Sequence, residues 1–170
     1  ELQFQTEAVT KLQRLREDYG LEIVIEPGAG ATHNPGYFVA TVEDILPKPG
    51  GAVAVLDFSV NHWPELFEYQ IQPRITQSAE DGPHTYNVAG CSCLAGDVLG
   101  EYTFNTKLNV GDRLVLPNAG AYSIGKAHPF NGINLPTIYR LQEDSELQLT
   151  KQFIFEEFAA RCGFDQPIRI

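Results

Sequence analysis

The chain has 170 residues, enough for one well-buried core but short for an enzyme with separate cofactor and substrate domains. A formal net charge of -10 argues against a general nucleic-acid binder, which needs a basic footprint to displace counterions from phosphates; an acidic surface suits a cationic small molecule, but more often it only keeps a protein soluble. No apolar run approaches the roughly 20 residues that cross a bilayer, the opening Glu1-Leu2-Gln3-Phe4 lacks leader character, and the three cysteines are an odd number, so a reduced cytoplasmic protein without a membrane partner is expected.

Thr6 to Tyr19 reads as an amphipathic helix, with Thr6 as N-cap, Ala8, Val9, Leu12, Leu15 and Tyr19 on one apolar stripe, and Gly20 as the stop. Leu21 to Glu26 follows as a strand that ends at Pro27-Gly28. A helix feeding a short strand is one step of an α/β layer or barrel, and one step alone cannot bury both its faces.

After Gly36 the pattern changes to strands over 37–46, 52–60, 84–88, 101–104, 113–116, 121–126, 136–141 and 146–150. Gly, Pro and Asn clusters such as Lys48-Pro49-Gly50-Gly51, Asp81-Gly82-Pro83 and Asn131-Gly132 punctuate them. A mainly β domain, barrel or sandwich, is therefore expected over 37–170, closed by a short helix over 153–161.

Three stretches carry candidate chemistry. Glu26-Pro27-Gly28-Ala29-Gly30 sets a carboxylate at the end of a strand and frees backbone N–H groups that can approach a phosphate, although such a turn is by itself an ordinary tight turn. Gly90-Cys91-Ser92-Cys93-Leu94-Ala95-Gly96-Asp97 brings thiols and a carboxylate together among small residues; a buried inert thiol beside a turn is the plain alternative, and one Cys-x-Cys is weak evidence for a metal, so none is expected. Asn118-Ala119-Gly120-Ala121-Tyr122, continuing to Phe130-Asn131-Gly132-Ile133, leads to a phenol that can bind a phosphate or sit in a core.

Glu-Pro-Gly, then Cys-x-x-Gly-Asp, then Gly-Ala-Tyr and Phe-Asn-Gly, in this order, resembles the second half of the fold-type III, alanine racemase-like pyridoxal-phosphate decarboxylases. Asn34-Pro35-Gly36-Tyr37, Leu56-Asp57-Phe58-Ser59 with His62 and Pro64, and the run from Cys93 to Tyr102 are most similar to the carboxynorspermidine/carboxyspermidine decarboxylases. The diaminopimelate and ornithine enzymes carry an acidic residue after the cysteine, where this chain has Leu94.

The resemblance covers residues 6–161 and implies that 1–36 is the final helix and strand of a (β/α)8 barrel that binds pyridoxal 5'-phosphate, with the C-terminal β domain after it. By the same resemblance Glu26 faces the pyridine nitrogen, Gly28 and Tyr122 lie at the cofactor phosphate, Cys93 acts as the acid across a homodimer interface, and Asp97 shapes the pocket for a substrate amine. It also implies that the cofactor-binding lysine lies in an N-terminal barrel half before this chain, because Lys11, Lys48, Lys107, Lys126 and Lys151 are all out of its motif context.

The expected function is part of a polyamine-biosynthetic carboxy-lyase with a small cationic substrate, inactive without that half. A non-catalytic dimerisation or regulatory β domain, or a related amino-acid decarboxylase, stands as the alternative. Ala29 departs from the charged residue common after Glu-Pro-Gly in the family, so any contact of that side chain is absent here.

Overall fold

A computed structural model describes residues 2–26 and 28–164. Helix α1, Leu2–Tyr19, starts before the expected N-cap, so Thr6 lies inside it and its carbonyl accepts a hydrogen bond from Thr10 Oγ1 (2.9 Å). Gly20 ends the helix with φ +64°, a conformation that glycine adopts without strain.

The expected strand over 21–26 does not form. A strand is held by the ladder of a neighbour, and among the described residues none lies beside this segment. Its side chains Leu21, Val24 and Ile25 are exposed, as are Val9, Leu15 and Tyr19 of α1. A five-residue helix, α2 (Gly28–Thr32), follows.

The centre of the molecule is a five-stranded sheet formed by β1 (Tyr37–Lys48), β2 (Gly51–Leu56), β3 (His84–Ala89), β4 (Val98–Phe104) and β5 (Arg113–Pro117), in the order β4-β3-β2-β1-β5. β1 serves two neighbours in turn. Its first half pairs antiparallel with β5, Tyr37 opposite Pro117, and a register shift between Val42 and Asp44 hands the second half to β2, Lys48 opposite Gly51. A bulge of this kind sharpens the local twist and bends the strand.

The β2–β3 pair is parallel and therefore needs a long crossover. Residues 57–83 supply it, and they contain a 3-10 turn, Val60–His62, and a short helix, α3 (Glu65–Glu68), neither of which the alternation of the sequence foretold. The expected strand to residue 60 stops at Leu56 because Ser59 caps the turn: its Oγ accepts from Asn61 N–H, and its own N–H donates to His62 Nδ1, both at 3.2 Å.

Inward side chains alternate along each strand: Ala40 and Val42, Ala54 and Leu56, Tyr86 and Val88, Tyr102 and Phe104, Leu114 and Leu116. Phe58, Trp63, Leu66 and Ile75 of the crossover close over them. Phe38 meets Phe58 edge-on at 5.1 Å and Tyr86 meets Phe104 at 5.8 Å. The buried Tyr102 hydroxyl donates to the Pro73 carbonyl (2.5 Å), and burial pushes its pKa up to about 12.

The remaining elements are a hairpin of β6 (Ile138–Leu141) with β7 (Leu147–Lys151) and the closing helix α5 (Phe155–Arg161). The strand expected over 121–126 is replaced by α4, a single helical turn at Ser123–Lys126. The Ser123 hydroxyl donates to the Ala119 carbonyl (2.6 Å), and Lys126 N–H reaches the Tyr122 carbonyl (2.9 Å), so local i to i+4 bonding outcompetes a sheet ladder. No helix among the described residues is long and apolar enough to cross a membrane.

Candidate active site

Two parts of the surface collect the residues singled out in the sequence. The first is built by a close approach of two backbones. Ala119 N–H donates to the Gly36 carbonyl and Gly120 N–H to the His33 carbonyl, both at 2.9 Å. A Cβ on Gly120 would lie 2.1 Å from the Thr32 carbonyl oxygen, and one on Gly36 would lie 2.2 Å from Gly120 N, so only glycine fits at either position.

This contact places Tyr122, the residue just before α4, beside α2: its hydroxyl lies 3.8 Å from where a Cβ on Gly28 would stand. A phenolic donor thus sits against bare glycine backbone, an arrangement that fits a phosphate. Glu26 is exposed, and its carbonyl accepts from Gly28 N–H (2.9 Å), which keeps it next to that space. Pro27 and the side chain of Ala29 lie outside the described residues.

The Tyr122 ring has a support that the sequence did not reveal. Lys126 Nζ lies 5.5 Å from its centroid and 5.4 Å from that of Tyr69, and pairs with Glu68 Oε2 at 2.5 Å. The i, i+4 spacing of Tyr122 and Lys126 was the available signal, but it means something only on a helix, and a strand was expected there.

The second part is the loop between β3 and β4, which carries Cys93 with its thiol exposed. Asp97 at the end of this loop is buried at 4% exposure. Its Oδ1 accepts from Val60 N–H (2.8 Å), and its Oδ2 accepts from Ser92 N–H (3.0 Å) and Ser92 Oγ (2.5 Å). A Cβ on Gly90 would lie 2.3 Å from Oδ1, so glycine there leaves room for the carboxylate.

Leu94 packs against the core. Cys91 N–H donates to the Phe58 carbonyl (2.9 Å), and burial, reinforced by the Asp97 charge, pushes the Cys91 thiol pKa up. Among the described residues all three cysteines are free thiols.

The Ser59–His62 turn joins the two parts. Ser59 Oγ donates to Ser92 Oγ (3.4 Å) on one side; on the other, the Asn61 carbonyl accepts from His128 N–H (3.1 Å) and Asn61 Nδ2 donates to the Phe130 carbonyl (3.4 Å). His62 is buried at 2% exposure with Nδ1 as an acceptor, so its proton sits on Nε2. Burial holds its pKa below the ordinary 6.5; the Asn134 backbone offsets this in part, although Nε2 makes no hydrogen bond of ordinary geometry.

The β domain thus carries a phenol over glycine backbone on one part of its surface and a free thiol on another. The chain belongs to the pyridoxal-dependent decarboxylases: the model of their C-terminal sheet domain matches residues 24–120. It is 35% identical over 146 residues to a carboxyaminopropylagmatine decarboxylase of Synechocystis, covering 84% of this chain and 38% of that protein. It is 33% identical over 159 residues to a carboxynorspermidine/carboxyspermidine decarboxylase of Campylobacter jejuni, covering 85% of this chain and 41% of that protein.

A crystal structure of carboxynorspermidine decarboxylase from Campylobacter jejuni, complexed with norspermidine, superposes with a TM-score of 0.77 at 30% identity, over 90% of this chain and 45% of that one. Diaminopimelate decarboxylase from M. jannaschii shares the fold, with a TM-score of 0.71 at 21% identity. The chain spans less than half the length of each of the two curated relatives named above.

Proposed function

We propose that this chain supplies part of the active site of a pyridoxal-phosphate-dependent carboxy-lyase acting on a carboxylated aminopropyl polyamine, of the carboxynorspermidine or carboxyspermidine kind, in polyamine biosynthesis. The observation that carries the reading is the Tyr122 hydroxyl set against Gly28. The relatives named for carboxylated polyamines and the norspermidine complex of a similar structure support the substrate class. The acidic balance of the chain suits a cationic substrate, and its free thiols suit the cytoplasm.

Tyr122 and the backbone at Gly28 hold the phosphate of the cofactor, and Glu26 keeps the proton on its ring nitrogen. Bound pyridoxal phosphate supplies an electron sink for the pair left when the substrate's carboxylate carbon departs as carbon dioxide. Cys93 then gives its S–H proton to the substrate carbon, forming the new C–H bond and leaving a thiolate that solvent reprotonates. The exposed Cys93 thiol serves the site of the opposite subunit in a homodimer, and the lysine that holds the cofactor belongs to an N-terminal barrel without which this chain is inactive.

The test is Tyr122→Phe in the complete protein, which keeps the ring beneath Lys126 and removes only the donor. A hydrogen bond to a charged group contributes about 1.5–3 kcal/mol, so the cofactor dissociation constant should rise at least about tenfold. Unchanged cofactor affinity would refute the assignment of Tyr122.

A further inference from the structure

Asp97 is the one buried carboxylate in the described core, at 4% exposure. A side chain that recognises a substrate amine must offer an oxygen to the pocket. Both Asp97 oxygens accept from this chain's own N–H and hydroxyl groups, Val60 on one side and Ser92 on the other. The carboxylate packs directly against Gly90, where a Cβ would fall 2.3 Å from Oδ1 and 2.4 Å from Oδ2.

We propose that Asp97 is a positioning residue for Cys93: it fastens the loop that carries the thiol to the Ser59–His62 turn, and through that turn to the segment bearing Tyr122. This rests on the proposed role of Cys93 as the proton donor.

The geometry supports it from three directions. Ser92, the residue between the two thiols, is bound to Asp97 through both its N–H and its hydroxyl, which sets the side of the loop on which Cys93 is presented. Ser92 Oγ also accepts from Leu94 N–H (3.3 Å), so the residues flanking Cys93 are both tied to one carboxylate network. The far end of the network is Val60 N–H, on the turn whose next residue, Asn61, bonds His128 and Phe130 beyond Tyr122. A buried carboxylate with three donors from two separate chain segments acts as a rigid clamp, and a proton donor works only when held within reach of the carbon it serves.

The experiment compares Asp97→Asn, Ser92→Ala and Cys93→Ala in the complete, cofactor-loaded protein. Asparagine keeps the shape but sets an NH2 group against Val60 N–H or Ser92 N–H, two donors facing each other; Ser92→Ala removes one donor and leaves the carboxylate. Three quantities are read: kcat and KM, the cofactor dissociation constant, and the rate at which iodoacetamide alkylates Cys93, with Cys162 as the internal control.

Asp97→Asn should lower kcat on the order of a hundredfold with KM and cofactor affinity within about twofold of wild type, and should change Cys93 alkylation severalfold while Cys162 is unaffected. Ser92→Ala should shift the same two quantities in the same direction by less, and it keeps the question answerable if Asp97→Asn does not fold. A raised KM with kcat intact would overturn the proposal in favour of a substrate-amine contact. Unchanged kcat and unchanged Cys93 alkylation in a folded variant would overturn it outright. Full activity of Cys93→Ala would instead refute the role of Cys93, and the alkylation rates would still report whether Asp97 sets the loop.

Discussion

Replacing Gly120 with alanine should both destabilise the β domain and weaken cofactor binding. The new methyl would fall 2.1 Å from the Thr32 carbonyl oxygen, 2.9 Å from Gly36 N and 3.0 Å from the His33 carbonyl oxygen, all backbone atoms that cannot rotate away. The two segments must therefore part, and both hydrogen bonds between them, Ala119 to Gly36 and Gly120 to His33, go with the contact. Two such bonds are worth about 2 kcal/mol, and forcing a methyl into filled space adds about 1–3 kcal/mol, which gives roughly 3–5 kcal/mol.

Because the same contact sets Tyr122 against Gly28, the cofactor dissociation constant should rise in the same variant. The assay is chemical denaturation of the complete protein together with cofactor titration, with Gly125→Ala as control. Gly125 lies within α4 with nothing within 4 Å of a Cβ and no positive φ, so alanine there should be neutral or stabilising by up to about 1 kcal/mol. A Gly120→Ala protein that matches Gly125→Ala in both measurements would refute the argument that the glycine contact positions Tyr122.

Glu26→Gln in the complete enzyme should lower turnover about a hundredfold, roughly 3 kcal/mol of barrier, with little loss of folding stability because Glu26 is exposed; unchanged turnover would count against its role at the ring nitrogen. His62 predicts an acid sensitivity. Burial keeps it neutral in the folded state and holds its pKa below 6.5, whereas the unfolded chain takes up a proton there as pH falls. Its contribution to stability is thus present above pH 6.5 and lost on acidification, by at most about 1.4 kcal/mol per pH unit. His62→Gln should flatten the fall in denaturation midpoint between about pH 7.5 and 5.5 relative to wild type, and parallel curves would exclude His62 as its source.

The central strands were legible because one of their faces is buried, so that Ala40 and Val42, Ala54 and Leu56, or Leu114 and Leu116 alternate with outward residues. The same alternation misled over residues 121–126, where the side chain of Ser123 bonds back to Ala119 and a helical turn forms. Leu21 to Ile25 has the composition of a strand, but composition does not supply a partner, and the segment forms no ladder and leaves Leu21, Val24 and Ile25 exposed.

At the candidate site, motif order pointed to Gly28, Cys93, Asp97 and Tyr122. What the motif did not contain was which way Asp97 turns. Its partner Val60 lies 37 residues away along the chain, and no local spacing announces a bond between a carboxylate and an N–H on a turn that forms only when the β2–β3 crossover folds. The clamp by Lys126 was hidden for the same reason, since Glu68 and Tyr69 come from that crossover.

The central claim, that this β domain completes a pyridoxal-phosphate site for a carboxylated polyamine, is tested most directly by carbon dioxide release from the complete protein loaded with pyridoxal phosphate. Carboxynorspermidine, carboxyspermidine and carboxyaminopropylagmatine would be compared with diaminopimelate and ornithine under the same conditions, each with wild-type protein and with Cys93→Ala. The account predicts release from at least one of the carboxylated polyamines in preference to the two amino acids, and its loss in Cys93→Ala. Release from none of the five, or a rate that Cys93→Ala leaves untouched, would contradict it.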